Sequence, residues 1–196
     1  MESLLSYHFH KPALLIEALT HSSYTLASTT QSLERLEFLG DAVLDHVIVQ
    51  LMWSSVPELS HHQMHLIRTA LVNADFLAFL CMELVYESEM VDLTPSPKTR
   101  IIRRPLPFFL QHSSPPISQL LRVQTDASPS NPYQVLRTQI HDALKHAPRY
   151  PWALLARLQA RKFYSDMVES ILGAVWIDSG GSMDVCKGVL LSLIHI

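Results

Sequence analysis

The chain has 196 residues, of which 48% are hydrophobic, enough for one ordinary globular domain with a real core. A formal charge of −3 excludes an overall basic field, so any attraction for nucleic acid has to come from local patches. The two cysteines, Cys81 and Cys186, match no metal-ligand spacing and point to a reduced protein rather than a disulfide scaffold.

No apolar run reaches the roughly 18 to 20 residues of a membrane span, and "MESLLSYHFHKPALL" lacks the basic start and small-residue cleavage site of a secretory signal. The expectation is an intracellular protein, cytoplasmic or nuclear, with no membrane partner. Pro12 fits the first turn of a helix through "PALLIEALTH", where a missing N–H costs nothing. Ser32 is a candidate N-cap for a second helix from Leu33 to about Trp53, closed by Val56-Pro57. Ser60 and Gln63 have capping-box spacing, and Met64, Ile67, Leu71 and Ala74 follow on one face. Asp75 is a candidate cap for "FLAFLCMEL".

The character changes near Glu87, because ten of the 12 prolines lie between Thr94 and Pro151, among Ser-rich pieces such as "HSSPPIS" and "DASPSNP". Residues 87–160 therefore read as a long insertion, partly disordered, with one helical piece at "YQVLRTQIHDALKHA". Helical reading resumes at "PWALLARLQARKFYSDMVESILGAVWID" and stops at Gly180-Gly181. The final "LSLIHI", residues 191–196, equals the translation of a transposon-adaptor end sequence and is expected to be a non-native tail, leaving one domain over residues 1–190. With no internal repeat and no persuasive period-2 pattern, the fold class is all-α.

Glu34, Glu37, Asp41 and Asp45 fall on one helical stripe only about 80° wide, in a segment whose other positions are mostly apolar. A second acidic pair, Asp166 and Glu169, sits at i,i+3 on the late helix, and Gly173 continues its stripe. A glycine there lets another helix approach, so the two stripes could face one another and form an oxygen cage suited to Mg²⁺ or Mn²⁺. Charge on a helix is more often its solvated face, and spacing alone leaves that reading open.

Three words in order bear on the choice: "ALTHSSY" at Ala18 to Tyr24, "ERLEFLGDAVLD" at Glu34 to Asp45, and "SDMVESILGAVWIDSGG" at Ser165 to Gly181. Together they resemble the ribonuclease III family, and the longer endings resemble the second nuclease domain of fungal Dicer-like proteins. The likeness covers residues 1–86 and 161–190 and leaves the insertion unmatched.

The resemblance implies the all-α helical bundle of the ribonuclease III endonuclease domain, with the proline-rich insertion added to it. It also implies hydrolysis of double-stranded RNA with a divalent metal, leaving 5′-phosphates and two-nucleotide 3′ overhangs, as part of an RNA-silencing enzyme. Glu37, Asp41, Asp166 and Glu169 match the metal-binding and catalytic carboxylates. Glu34 matches an outer position, with a helix-start acid as its alternative, and Asp45 is not expected to touch metal. Lys162 matches a lysine near the scissile phosphate, or makes a plain i,i+4 ion pair with Asp166. The family word normally has proline where this chain has Arg161. Asn73 matches a position near the active site, or simply ends a helix.

His21 is read as structural and Asp178 as a helix-end residue. His61, His62 and His65 are read as solvated at a helix start rather than as a metal site. Lys98, Arg100, Arg103 and Arg104 could meet RNA phosphates or merely solubilise a loop, so no RNA-binding residue is assigned. The resemblance further implies pairing with a second nuclease domain, in the same chain or as a homodimer, to which Phe38 and Leu39 contribute unless they are core. The long insertion speaks against a bacterial-type homodimer. The rival reading is a non-catalytic module serving in dimerisation or as an RNA scaffold.

Overall fold

The computed structural model describes residues 2–24, 31–92, 98–125, 128 and 131–194. Short helices α1 (Glu2–Leu5) and α2 (Pro12–Ala18) lead to the long α3 (Glu34–Trp53), followed by α4 (His61–Leu71) and α5 (Ala74–Glu83). An antiparallel hairpin, β1 (Val85–Asp92) and β2 (Lys98–Pro105), and a 3-10 turn (Leu106–Phe109) come next. The chain then forms α6 (Pro115–Thr125), α7 (Pro132–His146), α8 (Trp152–Ala156), α9 (Phe163–Asp178) and α10 (Met183–Ile194). The class is all-α, as the sequence implied, with one two-stranded sheet that it did not.

The local chemistry explains most boundaries. Pro12 stands in the first turn of α2. Ser60 and Gln63 make the expected capping box at α4, each side chain satisfying the other's backbone N–H. Two expected caps differ. Leu33, in helical conformation and with no side-chain cap, precedes α3, while the Ser32 hydroxyl instead donates to Glu34 Oε2 at 3.3 Å. The cap of α5 is Asn73, not Asp75: Asn73 Oδ1 accepts from the Asp75 and Phe76 N–H groups at 3.0 and 3.2 Å. The late helical stretch is also broken, because Gln159 takes a left-handed φ of 46° between α8 and α9.

Helix α9 is the centre of the molecule and packs against α3, α5, α2 and α10. The contact with α3 is a backbone contact. A Cβ placed on Gly40 would meet the Glu169 carbonyl oxygen at 1.7 Å, and one on Gly173 would meet that of Leu36 at 2.2 Å. The approach inferred from Gly173 is present, and Gly40 is its unforeseen counterpart.

The described residues of the segment 87–160 feed the same core. Leu106, Leu110, Ile117, Leu121, Ile140, Leu155 and Leu158 are buried with the helices on either side of it. Gln111 is bonded to the "ALTHSSY" word on both sides: its N–H donates to Leu19 O at 2.7 Å, and its carbonyl accepts from His21 N at 2.9 Å. Helix α7 is held to α5 by Glu83, which receives the Arg137 guanidinium and, at 2.8 Å, His141 Nε2. Much of "DASPSNP" and the last two residues of "LSLIHI" lie outside the described residues.

Candidate active site

Because α3 and α9 meet backbone to backbone, side chains flanking the two glycines are forced together. Glu37 from α3 and Asp166 and Glu169 from α9 each offer a carboxylate oxygen within 4.8 Å of the others, all half-buried. Asp41, one turn further along α3, is exposed and stands outside this group of three. It is still close enough to be the strongest single charge acting on Glu169. The structure thus brings three of the four expected carboxylates into contact and places the fourth beside them.

Such crowding is unfavourable without a cation. Burial pushes the Glu169 carboxyl up to about 8, and the charges of Asp41, Asp166 and Glu37 push the same way against the opposing effect of Lys162. Asp166 is also raised, first by burial and then by Glu37, with the hydrogen bond and charge of Lys162 and the Ser165 hydroxyl opposing. Lys162 bridges the cluster, its Nζ donating to Glu37 Oε1 at 2.8 Å and to Asp166 Oδ1 at 2.6 Å. Burial works against its charge, but these two bonds hold its pKa well above that of an ordinary lysine. Lys162 thus makes the i,i+4 pair with Asp166 and reaches Glu37 as well, so that its ammonium sits at the carboxylate cluster. Clustered oxygens, partly desolvated and carrying excess negative charge, fit a hard divalent cation such as Mg²⁺.

The remaining candidates lie elsewhere. Glu34 is exposed in the first turn of α3. Asp45 is engaged by Arg68, whose Nε and Nη2 donate to its two oxygens at 2.5 and 3.0 Å. Asn73 is occupied in the α5 cap. Asp178 is a structural anchor, accepting from the Tyr7 hydroxyl and the His10 and Lys11 N–H groups, each at 2.8 Å. His21 Nδ1 pairs with the Ser23 hydroxyl at 2.9 Å, and its ring packs edge-on to Phe163. His61, His62 and His65 are exposed on α4. On the hairpin, Arg103 pairs with Glu87 at 2.7 Å and Arg104 is exposed, while the side chains of Lys98 and Arg100 lie outside the described residues.

Sequence reasoning missed Gly40, although a glycine inside a long helix costs about 1 kcal/mol and so marks a close approach. It also missed α6, which forms a wall beside the cluster.

A family model for the ribonuclease III domain matches residues 34–180, so it runs through the insertion. A Dicer-like protein 2 from Cryphonectria parasitica is 39% identical over 95% of this chain and 14% of its own length. Another Dicer-like protein 2, from Phaeosphaeria nodorum, is 44% identical over 98% of this chain and 13% of its own length. This chain thus spans about one seventh of these relatives. Among solved structures, the nuclease domain of a ribonuclease III from Campylobacter jejuni aligns with a TM-score of 0.56 at 24% identity, covering 99% of this chain and 90% of that one. At that identity the likeness concerns the fold.

Proposed function

The chain belongs to the ribonuclease III family, and from that membership we propose that it is a metal-dependent endoribonuclease domain that cleaves double-stranded RNA. The observation that carries the reading is the convergence of Glu37, Asp166 and Glu169 across the Gly40–Gly173 contact, with Asp41 beside them. In this reading the four carboxylates hold Mg²⁺ or Mn²⁺. A divalent ion there would supply charge neutralisation at the phosphate and a water of lowered pKa. The residues of the chain do the rest: Glu37, Asp166 and Glu169 fix the geometry, and Lys162, already at hydrogen-bond distance from two of them, meets the incoming phosphate oxygens. Glu34 and Asn73 act through neighbours rather than on the metal.

The products would carry 5′-phosphates and two-nucleotide 3′ overhangs, and the full-length protein would be a Dicer-like enzyme of RNA silencing, working in the cytoplasm or nucleus. Two such domains are needed, one per strand. Phe38 is 82% exposed on α3, and a hollow of about 590 Å³ beside it is lined by Leu14, Leu39 and Ile177 among others. Phe38 itself lines the hollow, as do Glu17, Glu34 and Arg35 beside its apolar part, and an exposed phenylalanine in such a hollow offers the knob and the hole that a two-fold pairing surface needs. The partner is another nuclease domain of the same protein or a second copy of this chain.

Glu169→Gln and Asp41→Asn test the centre, since each removes charge with little change in volume. Both are expected to fold as the wild type does and to lose Mg²⁺-dependent cutting of double-stranded RNA by at least a hundredfold, an order typical of a charged catalytic group. Wild-type rates in either variant would overturn the assigned centre, whereas a wild-type chain that binds double-stranded RNA without cutting it even when paired would favour the scaffold reading.

A further inference from the structure

An open cavity of about 870 Å³ begins where the carboxylate cluster ends. One side is the start of α9 with Arg161, Lys162, Phe163 and Asp166, and the other is α6, which presents Leu120 and Val123. Its volume is that of a ligand site rather than a packing fault. Its wall is fixed to the catalytic helix. The Tyr164 hydroxyl donates to Gln124 Oε1 between α9 and α6, both residues being buried, and Ile117 and Leu121 anchor α6 in the core. Among the described residues Arg161 makes no ion pair, although Lys162 beside it makes two.

The lining combines a free cation at the edge of the catalytic centre with an apolar wall. A duplex does not match that combination, because its outer surface is phosphate and ribose and its base faces are stacked away. An unpaired nucleotide does match it, with a phosphate for the cation and an exposed base face for the apolar side. Resting on the reading of the chain as a double-stranded-RNA nuclease, we infer that this cavity binds unpaired nucleotides adjoining the duplex. The insertion helix α6 is accordingly part of the substrate-binding surface. Val123, which is 49% exposed, covers a base, and Arg161 takes a backbone phosphate.

The test is fluorescence anisotropy with two labelled RNAs, a blunt duplex and the same duplex with a four-nucleotide single-stranded extension. It is run on the whole chain in chelator so that nothing is cut. The expected result is tighter binding of the extended RNA by about tenfold, the order of one base face buried against the apolar wall together with one phosphate contact. Val123→Glu and Arg161→Glu should reduce that ratio to near one, Arg161→Lys should keep most of it, and Val56→Glu, on a 95% exposed position away from the cavity, should leave it unchanged. Thermal melts matching wild type would show that Val123→Glu and Arg161→Glu fold. Equal binding of the two RNAs by wild type, no binding of either, or a ratio that survives both charge changes would overturn the inference. Mg²⁺-dependent cleavage is read separately. Cutting without extension preference keeps the nuclease and removes this cavity from its substrate surface, whereas preference without cutting does the reverse.

Discussion

At Glu169, burial and three neighbouring carboxylates act in the same direction, and the consequence for stability has a definite sign. Its carboxyl ionises near 4.5 in an unfolded chain and near 8 in the folded one. Between those values the folded protein keeps a proton that the unfolded chain has released, so stability falls as pH rises through the window. Glu169→Gln removes that loss. In chelator it should melt higher than wild type at pH 8.5, with the difference closing below pH 4.5, while cleavage disappears. A melting difference independent of pH would contradict the assignment. Added Mg²⁺ should raise the wild-type melting temperature more than that of the variant, since only the intact cage gains a ligand.

Asp178 has the opposite sign. Burial alone would raise it, but bonds from the His10 N–H, the Tyr7 hydroxyl and the Lys11 N–H outweigh that and hold it at about 2. Its contribution is present above the unfolded value of 3.8 and is lost as pH falls toward 2. Asp178→Asn should cost about 2 kcal/mol at neutral pH, the order of a hydrogen bond to a charged group, and nearly nothing at pH 2. Denaturant titrations at the two pH values measure both.

The crossing of α3 and α9 is the element on which the site depends. At Gly40 and Gly173 an added methyl group would run into backbone carbonyls, which cannot rotate aside. Gly40→Ala should therefore cost about 3 kcal/mol or more, above the usual range for overpacking, and should also spread the carboxylates and weaken metal binding. Near-wild-type stability in that variant would show that the helices can part at little cost. The insertion makes a second element-scale claim. Ile140 on α7 has no exposed surface, so Ile140→Ala should lose about 2 to 5 kcal/mol, as for any core truncation. Retention of full stability would mean that α7 is an appendage.

These elements also show what was legible in the sequence. Long periodic helices such as α3, α9 and α7 carry their own signal, as do the proline at the start of α2 and the Ser60–Gln63 box. The acidic stripes were visible as spacing, but their meeting depended on a glycine pair of which only Gly173 was recognised. The hairpin left no pattern because neither "VYESEMVD" nor "KTRIIRRP" alternates: Ile101 is exposed and its neighbour Ile102 half-buried. Helix α6 begins at two prolines in a Ser-rich stretch and is held by tertiary bonds, chiefly Tyr164 to Gln124, which no local window contains. Asn73 displaced Asp75 as the α5 cap because its oxygen reaches two N–H groups at once.

For the whole molecule, one acidic centre in the proposed reading cuts one strand, and a pair is required for a double-strand break. If the partner is a second copy, Phe38→Glu should abolish self-association in sedimentation equilibrium, while the monomer's melting temperature, compared at dilution, stays within a degree or two of wild type because an exposed side chain supports little of the fold. Unchanged association would move the pairing surface elsewhere. Among the described residues no single helix is long and apolar enough to cross a membrane.

The central claim is that the carboxylates at the α3–α9 crossing form a metal-dependent RNA-cutting centre that works in pairs. Its most direct measurement is cleavage of end-labelled long double-stranded RNA across a protein titration, with Mg²⁺ and with chelator, alongside sedimentation to follow pairing. The account predicts cuts leaving two-nucleotide 3′ overhangs, absent in chelator, with a rate that rises as the square of protein concentration until the chain is paired. Cutting that persists in chelator, or none at concentrations where the chain is fully paired, would contradict it.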